Sequence, residues 1–325
     1  MLYSIAVFCC PPDPVRRAFV FLLRCVMTLL KKSRKDTIAI LGPGKVGTAV
    51  GFLLRSAGYE ITALAGRSRE SCRKALPYTG GKIYSGLADA ASQARCVLIT
   101  VSDDAIKSVC DTISEGTPLK GRKVIHMSGA GGLDLLKSAR DAGAHIGSIH
   151  PIQSFADARG AIENIPGSTF GITVDDRIRK WSLRFVRDMG GHPFFVSEAD
   201  KPLYHAAACL ASNYLVTLMH AAEEIYMSLG LSSDNAVRAF WPLVKGTIRN
   251  IESKGTVQSL TGPIARGDIG TVKKHLSALH EDLQALIEFY CRTGSLTVDI
   301  ALKKGTISRE RGQEIKLLFN RRKMK

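Results

Sequence analysis

Apolar positions follow two different periods along the chain. Ile38, Ile40 and Leu41 make a short apolar run after Lys-rich sequence, and Val46, Val50, Leu53 and Leu54 then recur at helical spacing. Further strands are predicted at Glu60–Ala65, Cys96–Val101, Lys123–Met127, Ala144–Ile149, Thr169–Val174 and Phe194–Val196. Helices are predicted between them at Ser68–Leu76, Ala88–Ala94, from Ser102 or Asp103 through Cys110, and at Asp176–Met189. A continuous run such as Cys96-Val-Leu-Ile suits a strand covered on both faces, so the alternation predicts an α/β domain with a doubly wound parallel sheet. After Ser197 the period becomes helical. One long helix is predicted over Lys201–Leu229, with Asp200 as N-cap, Pro202 tolerated in the first turn and Gly230 as the stop. A second is predicted over Asp234–Ile251, kinked at Pro242, and a third over Ile269–Tyr290, capped by Asp268. Shorter helices follow at Leu296–Lys303 and Arg309–Phe319. The expected division is an extension over 1–33, an α/β domain over 34–197 and an all-helical substrate and dimerisation domain over 198–325.

The turn after the first strand carries Gly42, Gly44 and Gly47 in G-x-G-x-x-G spacing. The first glycine permits the turn, the second lets a pyrophosphate meet backbone, and the third lets the helix pack on its strand. Lys45 and Val46 lie on the same turn, where free N–H groups face an anion. A lone glycine fingerprint is weak. Here a strand precedes it, a helix follows and a second strand is legible, so the domain is read as Rossmann-type and dinucleotide-binding. That second strand runs into Gly66-Arg67-Ser68-Arg69, where NAD recognition would want an acidic residue for the ribose hydroxyls. Two guanidiniums and a hydroxyl suit a ribose 2′-phosphate, which favours NADP over NAD. Ser102, at the end of the Cys96–Val101 strand, is a further cofactor contact.

The 325 residues suffice for two domains, and a 45% apolar, 23% charged composition is that of an ordinary soluble protein. The net charge of +16 changes little. Part of it sits in Lys31–Lys35 and Arg321–Lys325, no basic stripe is interleaved with aromatics, and nucleic acid is not an expected partner. The excess suits an anionic cofactor and an anionic substrate. None of the eight cysteines forms a C-x-x-C pair, which predicts reduced thiols, a cytoplasmic location and no metal site. The apolar stretches before residue 31 are broken by Pro11–Pro14 and Arg16-Arg17, too short for a membrane span, and the true start is either Met1 or Met27.

Candidate chemistry lies at three places. Lys201, His205, Cys209 and Asn213 recur every four residues, which puts them on one helix face that either meets solvent or lines a cleft. His150 closes a strand at the carboxyl edge of the sheet, where such folds bind ligands, and Ser128 ends the strand before it. An imidazole there can donate to a substrate oxygen, and a satisfied structural histidine is the competing reading. In Thr261–Asp268, Asp268 is explained by capping and Arg266 is not; it is read as an anion clamp or an intersubunit ion-pairing residue.

These residues carry a resemblance. Ser148-Ile-His-Pro-Ile-Gln-Ser-Phe155, Tyr204-His205 with Leu210–Asn213, Pro242-Leu243 with Thr247 and Asn250, and Leu260–Asp268 with Thr271, His275 and Leu276 resemble the bacterial family that joins a Rossmann-like NADP-binding domain to domain of unknown function 2520. The resemblance implies an oxidoreductase and attaches no substrate. More distantly, the plan resembles pyrroline-5-carboxylate reductase, ketopantoate reductase and the 3-hydroxyisobutyrate dehydrogenases. These place active-site residues at the start of the first long helix of the second domain, and relatives of this plan commonly dimerise through that domain. The dehydrogenases carry Lys four residues before Asn; here Cys209 stands four before Asn213 and Lys201 lies further upstream.

The resulting expectation is an NADP-dependent oxidoreductase acting on a small anionic carbonyl, imine or hydroxy compound, as a homodimer. His205 is the expected acid/base, Asn213 the substrate orienter, His150 and Ser128 secondary polar contacts, and Arg266 the anion clamp. A non-catalytic NADP-binding sensor or scaffold is the alternative.

Overall fold

The computed structural model describes residues 35–321; the expected 1–33 extension, both candidate start residues, Cys9-Cys10 and the basic tail after Arg321 lie outside the described residues. The chain divides into two compact units, with the boundary between Cys209 and Leu210. The change of sequence pattern expected at 197–198 thus falls one helix before the change of packing.

The first unit is an eight-stranded sheet: β1 Thr37–Leu41, β2 Glu60–Ala65, β3 Lys82–Ile83, β4 Cys96–Ile99, β5 Lys123–His126, β6 His145–Pro151, β7 Thr169–Val174 and β8 His192–Phe195. The order is β3-β2-β1-β4-β5-β6-β7-β8. All neighbours are parallel except β6 and β7, which run antiparallel from Gly147 opposite Val174 to Pro151 opposite Phe170. The sheet is thus mostly parallel, as expected, with this one antiparallel pair. Helices between the strands are α1 Lys45–Ser56, α2 Arg69–Thr79, α3 Leu87–Ser92, α4 Asp103–Gly116, α5 Lys137–Asp141, α6 Ala158–Asn164 and α7 Arg179–Asp188.

The sheet is covered on both faces, and side-chain alternation sorts its residues between two cores. Ile38 and Ile40 pack with Val50 and Leu54 of α1. Ala39 and Leu41 pack with Ile106, Cys110 and Ile113 of α4. All four strand residues are fully buried, which is why the run reads as continuously apolar. Burying a side chain such as Ile40 contributes about 1.5–3 kcal/mol. Because β1 has β2 on one side and β4 on the other, the direction of winding reverses there, and the carboxyl ends of β1 and β4 are the place where sheets of this kind bind ligands.

Helix α8 (Lys201–Ala211) closes the first unit, its last two residues falling beyond the boundary. The second unit continues with α9 Asn213–Ser228, α10 Ser233–Gln258, α11 Ile269–Asp282, α12 Gln284–Lys304 and α13 Arg309–Arg321. Two predicted helices are therefore each split in two. Ser212 (φ −120°, ψ −70°) separates α8 from α9, and Leu283 (φ −143°, ψ 55°) separates α11 from α12. Neither break has a Gly or Pro signal. The predicted Leu296–Lys303 helix is the end of α12. In α10 the helical dihedrals are interrupted at Gly255 (φ 76°) and not at Pro242. Gly294, inside α12, has a packing reason: a Cβ there would lie 2.6 Å from the ring of Phe319 on α13. Asp268 caps α11 as expected, accepting from the Thr271 N–H at 3.0 Å. No helix among the described residues is long and apolar enough to cross a membrane.

Candidate functional site

Each glycine of the turn between β1 and α1 does a different job. Gly42 has φ +85°, and a Cβ there would press into the Val101 side chain and come within 3.0 Å of the Val101 nitrogen. At Gly47 a Cβ would strike the Thr100 hydroxyl, and it would stand 3.0 Å from the Gly42 carbonyl oxygen and 3.2 Å from Ile40. That hydroxyl donates to the Gly42 carbonyl at 2.7 Å, locking turn to strand end. Gly44 is the opposite case: it is exposed, and the Gly42 oxygen, at 4.0 Å, is all that a Cβ there would meet. Gly44 is also the N-cap of α1, without a side-chain cap and without an acid in the first turn. The first-turn N–H groups are thus left for an external anion, and the residues present fit a dinucleotide pyrophosphate. Lys45 is exposed on this turn and Val46 half-buried.

Arg67, Ser68 and Arg69 are exposed where β2 ends. Ser68 has a structural task, its Oγ accepting from the Ser71 N–H at 3.3 Å as the α2 cap. The two arginines have none of that kind. Ser102 stands at the α4 N-cap without a capping bond from its side chain. A hydrogen bond from Ser102, and to a lesser degree the charge of Arg67, hold the Asp104 carboxyl below its ordinary range.

A second polar cluster forms where β5, β6 and α8 meet. Ser128 Oγ donates to Asp103 Oδ2 at 2.7 Å and accepts from the Gly131 N–H at 2.8 Å. His126, fully buried, accepts the Ser128 N–H on Nδ1 at 3.1 Å, so its Nε2–H donates to the Gly132 carbonyl at 3.1 Å. Burial pushes its pKa down to about 4, the Gly132 carbonyl opposing. Ser148 Oγ donates to the Ser128 carbonyl at 3.0 Å. Lys201 is only 2% exposed and donates to Ser148 Oγ at 2.8 Å and the Ser128 carbonyl at 3.4 Å.

His150 Nδ1 and the Tyr204 hydroxyl are 2.8 Å apart. Burial first, then the charge of Lys201, lowers the His150 pKa to about 4. Burial raises that of Tyr204 to about 12, so both rings are neutral near pH 7. His205 stands edge-on to His150, ring centroids 6.1 Å apart, and its Nδ1 lies 3.9 Å from Cys209 Sγ. Two glycines make room for these rings. A Cβ at Gly129 would be 2.6 Å from His205 and 2.8 Å from His150, and one at Gly171, opposite His150 on β7, would run into the Tyr204 ring.

Of the residues expected from sequence, Ser128, His150 and His205 are thus brought together. Asn213 and Arg266 belong to the second unit, where both are exposed. The uninterrupted face from Lys201 to Asn213 is corrected, because the break at Ser212 intervenes. Lys201 was read on a face meeting solvent or a cleft, and it is buried. Asp103, His126, Ser148 and Tyr204 gave no such signal as site residues: their partners lie 20 to 54 positions away in sequence, apart from those His126 finds in its own loop. Among the described residues no group of three or more His, Cys, Asp or Glu is arranged to hold a metal ion.

Residues 27–151 match the model of the Rossmann-like domain, and residues 168–296 match that of domain of unknown function 2520. Curated proteins give no match. Among solved structures, protein TM1727 from Thermotoga maritima is 25% identical, with a TM-score of 0.64 over 82% of this chain and 99% of its own. The Plasmodium falciparum pyrroline carboxylate reductase, solved with NADP bound, is 14% identical, with a TM-score of 0.56 over 88% and 99%. A reductive aminase from Aspergillus terreus, solved with NADPH and ethyl-5-oxohexanoate, is 18% identical, with a TM-score of 0.54 over 88% and 93%. Below 25% identity such likeness speaks for the fold alone. The expected resemblance is met on both halves: a Rossmann-like model matches the first and the DUF2520 model much of the second.

Proposed function

We propose that the protein is an NADP-dependent oxidoreductase that moves hydride between the nicotinamide and a small, anionic carbonyl, imine or hydroxy compound, working as a homodimer. The observation that carries this reading is the glycine turn: two of its glycines are packed tight, while Gly44 lies open at an uncapped helix N-terminus. Support also comes from two structural neighbours, a pyrroline carboxylate reductase solved with NADP and a reductive aminase solved with NADPH.

Gly42, Gly44, Lys45, Val46 and Gly47 would hold the pyrophosphate, Arg67, Ser68 and Arg69 the ribose 2′-phosphate, and Ser102 would flank the cofactor. When bound, the cofactor supplies the hydride chemistry; the chain supplies orientation and a proton. His205 is assigned as the acid/base, since Gly129 leaves its ring room beside His150. His150, held through Nδ1 by Tyr204, and Ser128, fixed by Asp103 and the Gly131 N–H, are the secondary polar contacts. For Asn213 as orienter and Arg266 as anion clamp the assignment rests on sequence alone. Nothing in the site favours the sensor or scaffold alternative.

Titration with NADP and NAD should show tighter NADP binding, and a screen of carbonyl and imine acids with the tighter cofactor should find turnover. His205→Ala should lower kcat/KM on the order of 10²–10⁴-fold with cofactor affinity retained. Unchanged turnover in His205→Ala, or absence of dinucleotide binding, would overturn the reading.

A further inference from the structure

Lys201 has no role in the function proposed above, yet it is the most unusual charged group of the first unit. A lysine is almost never fully buried without a partner that justifies it. Here the ammonium, 2% exposed, makes no ion pair among the described contacts and donates to two neutral oxygens, Ser148 Oγ at 2.8 Å and the Ser128 carbonyl at 3.4 Å. Ser148 closes the triangle by donating to the same Ser128 carbonyl at 3.0 Å. This triangle ties the end of β5 to β6, and Ser128 leads directly into Gly129, against which both the His150 and His205 rings stand.

We propose that Lys201 is a positioning residue of the candidate site: its buried ammonium pins the Ser148 hydroxyl to the Ser128 carbonyl and presents a fixed positive charge to the His126 and His150 rings. The proposal rests on the site assignment above and adds to it a reason for neutral imidazoles. A positive charge held in a dry place disfavours a second one nearby, so His150 keeps a neutral ring able to donate or accept without becoming a cation. The charged groups around it come from every packed element. Asp103 at the start of α4 and Glu198 before α8 favour the ammonium, while His126 from β5 and His150 from β6 would oppose it when protonated, and His205 from α8 faces His150 in the same sense. Burial outweighs the two carboxylates and brings the Lys201 pKa down to about 8.

The test is histidine titration by NMR on full-length protein carrying ¹³C-labelled imidazole, with the His150 signal assigned through His150→Gln. In Lys201→Met the His150 midpoint should rise by about one pH unit. An unchanged midpoint in a folded Lys201→Met protein overturns the proposal. Should that variant not fold, the wild type decides: its His150 signal should show a second, smaller step near pH 8 as the neighbouring ammonium loses its proton, and a single step overturns the proposal. Both readouts are taken without added nucleotide, so failure of NADP binding or of turnover would count against the oxidoreductase reading and not against this one.

Discussion

The two units treat their side chains in opposite ways. In the first, the inner strands are fully buried on both faces, and even charged or polar groups such as Lys201, His126 and Ser148 are enclosed with hydrogen-bond partners. In the second, α11 to α13 build a core from Val272, Leu276, Val298, Ala301, Ile315 and Phe319, while α9 buries none of its 16 residues and α10 buries only Ala236 and Phe240. Tyr214, Val216, Leu229 and Leu243 are more than half exposed. An isolated helix of that length is marginal in water, so α9 draws its stability from what packs against it. The difference teaches that the first unit encloses its polar groups in a buried hydrogen-bond network, whereas the second leaves apolar side chains of its first two helices exposed.

The largest effect expected from breaking the first network is at the turn. Gly42→Ala forces a left-handed backbone onto a residue with a Cβ and drives that Cβ into Val101, costing about 2–4 kcal/mol. Each unit holds one tryptophan, Trp181 and Trp241, so urea unfolding followed by Trp181 fluorescence in a Trp241→Phe background reads the first unit alone. An unchanged unfolding midpoint in Gly42→Ala would contradict the strain assigned to that turn.

Acid should next distinguish them. His126 and His150 take up a proton in the native state only near pH 4, whereas unfolded imidazoles do so in the ordinary range near 6.5. Between those values the unfolded state binds more protons, so stability of the first unit falls as pH drops from about 6.5 to about 4. His126 alone accounts for up to about 3 kcal/mol of that loss. His126→Gln should flatten part of the slope in Trp181-monitored unfolding; an equally steep slope would remove the buried imidazole as its cause.

The smallest effect on folding is expected at the exposed apolar face. Leu243→Glu, at a position 70% exposed, should change second-unit stability by less than about 0.5 kcal/mol. If that face is where two copies meet, the same variant lowers the assembled mass in light scattering. An unchanged mass in the folded variant would refute that use of the surface.

Much of the first unit was legible because its signals are local. The β1 run, the three glycine positions and the missing acid after β2 all lie within one β-α-β stretch, and each maps onto a turn, a packing contact or an exposed cationic pair. Strand ends were less legible: β4 stops at Ile99 and not Val101, since Thr100 turns to bond the Gly42 carbonyl. The split at Ser212 was invisible because apolar periodicity continues across it, and the antiparallel β6–β7 pair was invisible because direction leaves no mark on composition.

Sequence by itself therefore determined the alternation of strand and helix, the dinucleotide-type turn and the helical second half, each set by spacing over a few residues. Only the tertiary structure decided that Lys201 is buried, that Tyr204 holds His150, and that Gly129 and Gly171 are small for the sake of rings far away in the chain. The physical reason is that periodicity specifies which face of an element is apolar, whereas hydrogen bonding and desolvation of a polar side chain depend on partners that chain folding alone brings within reach.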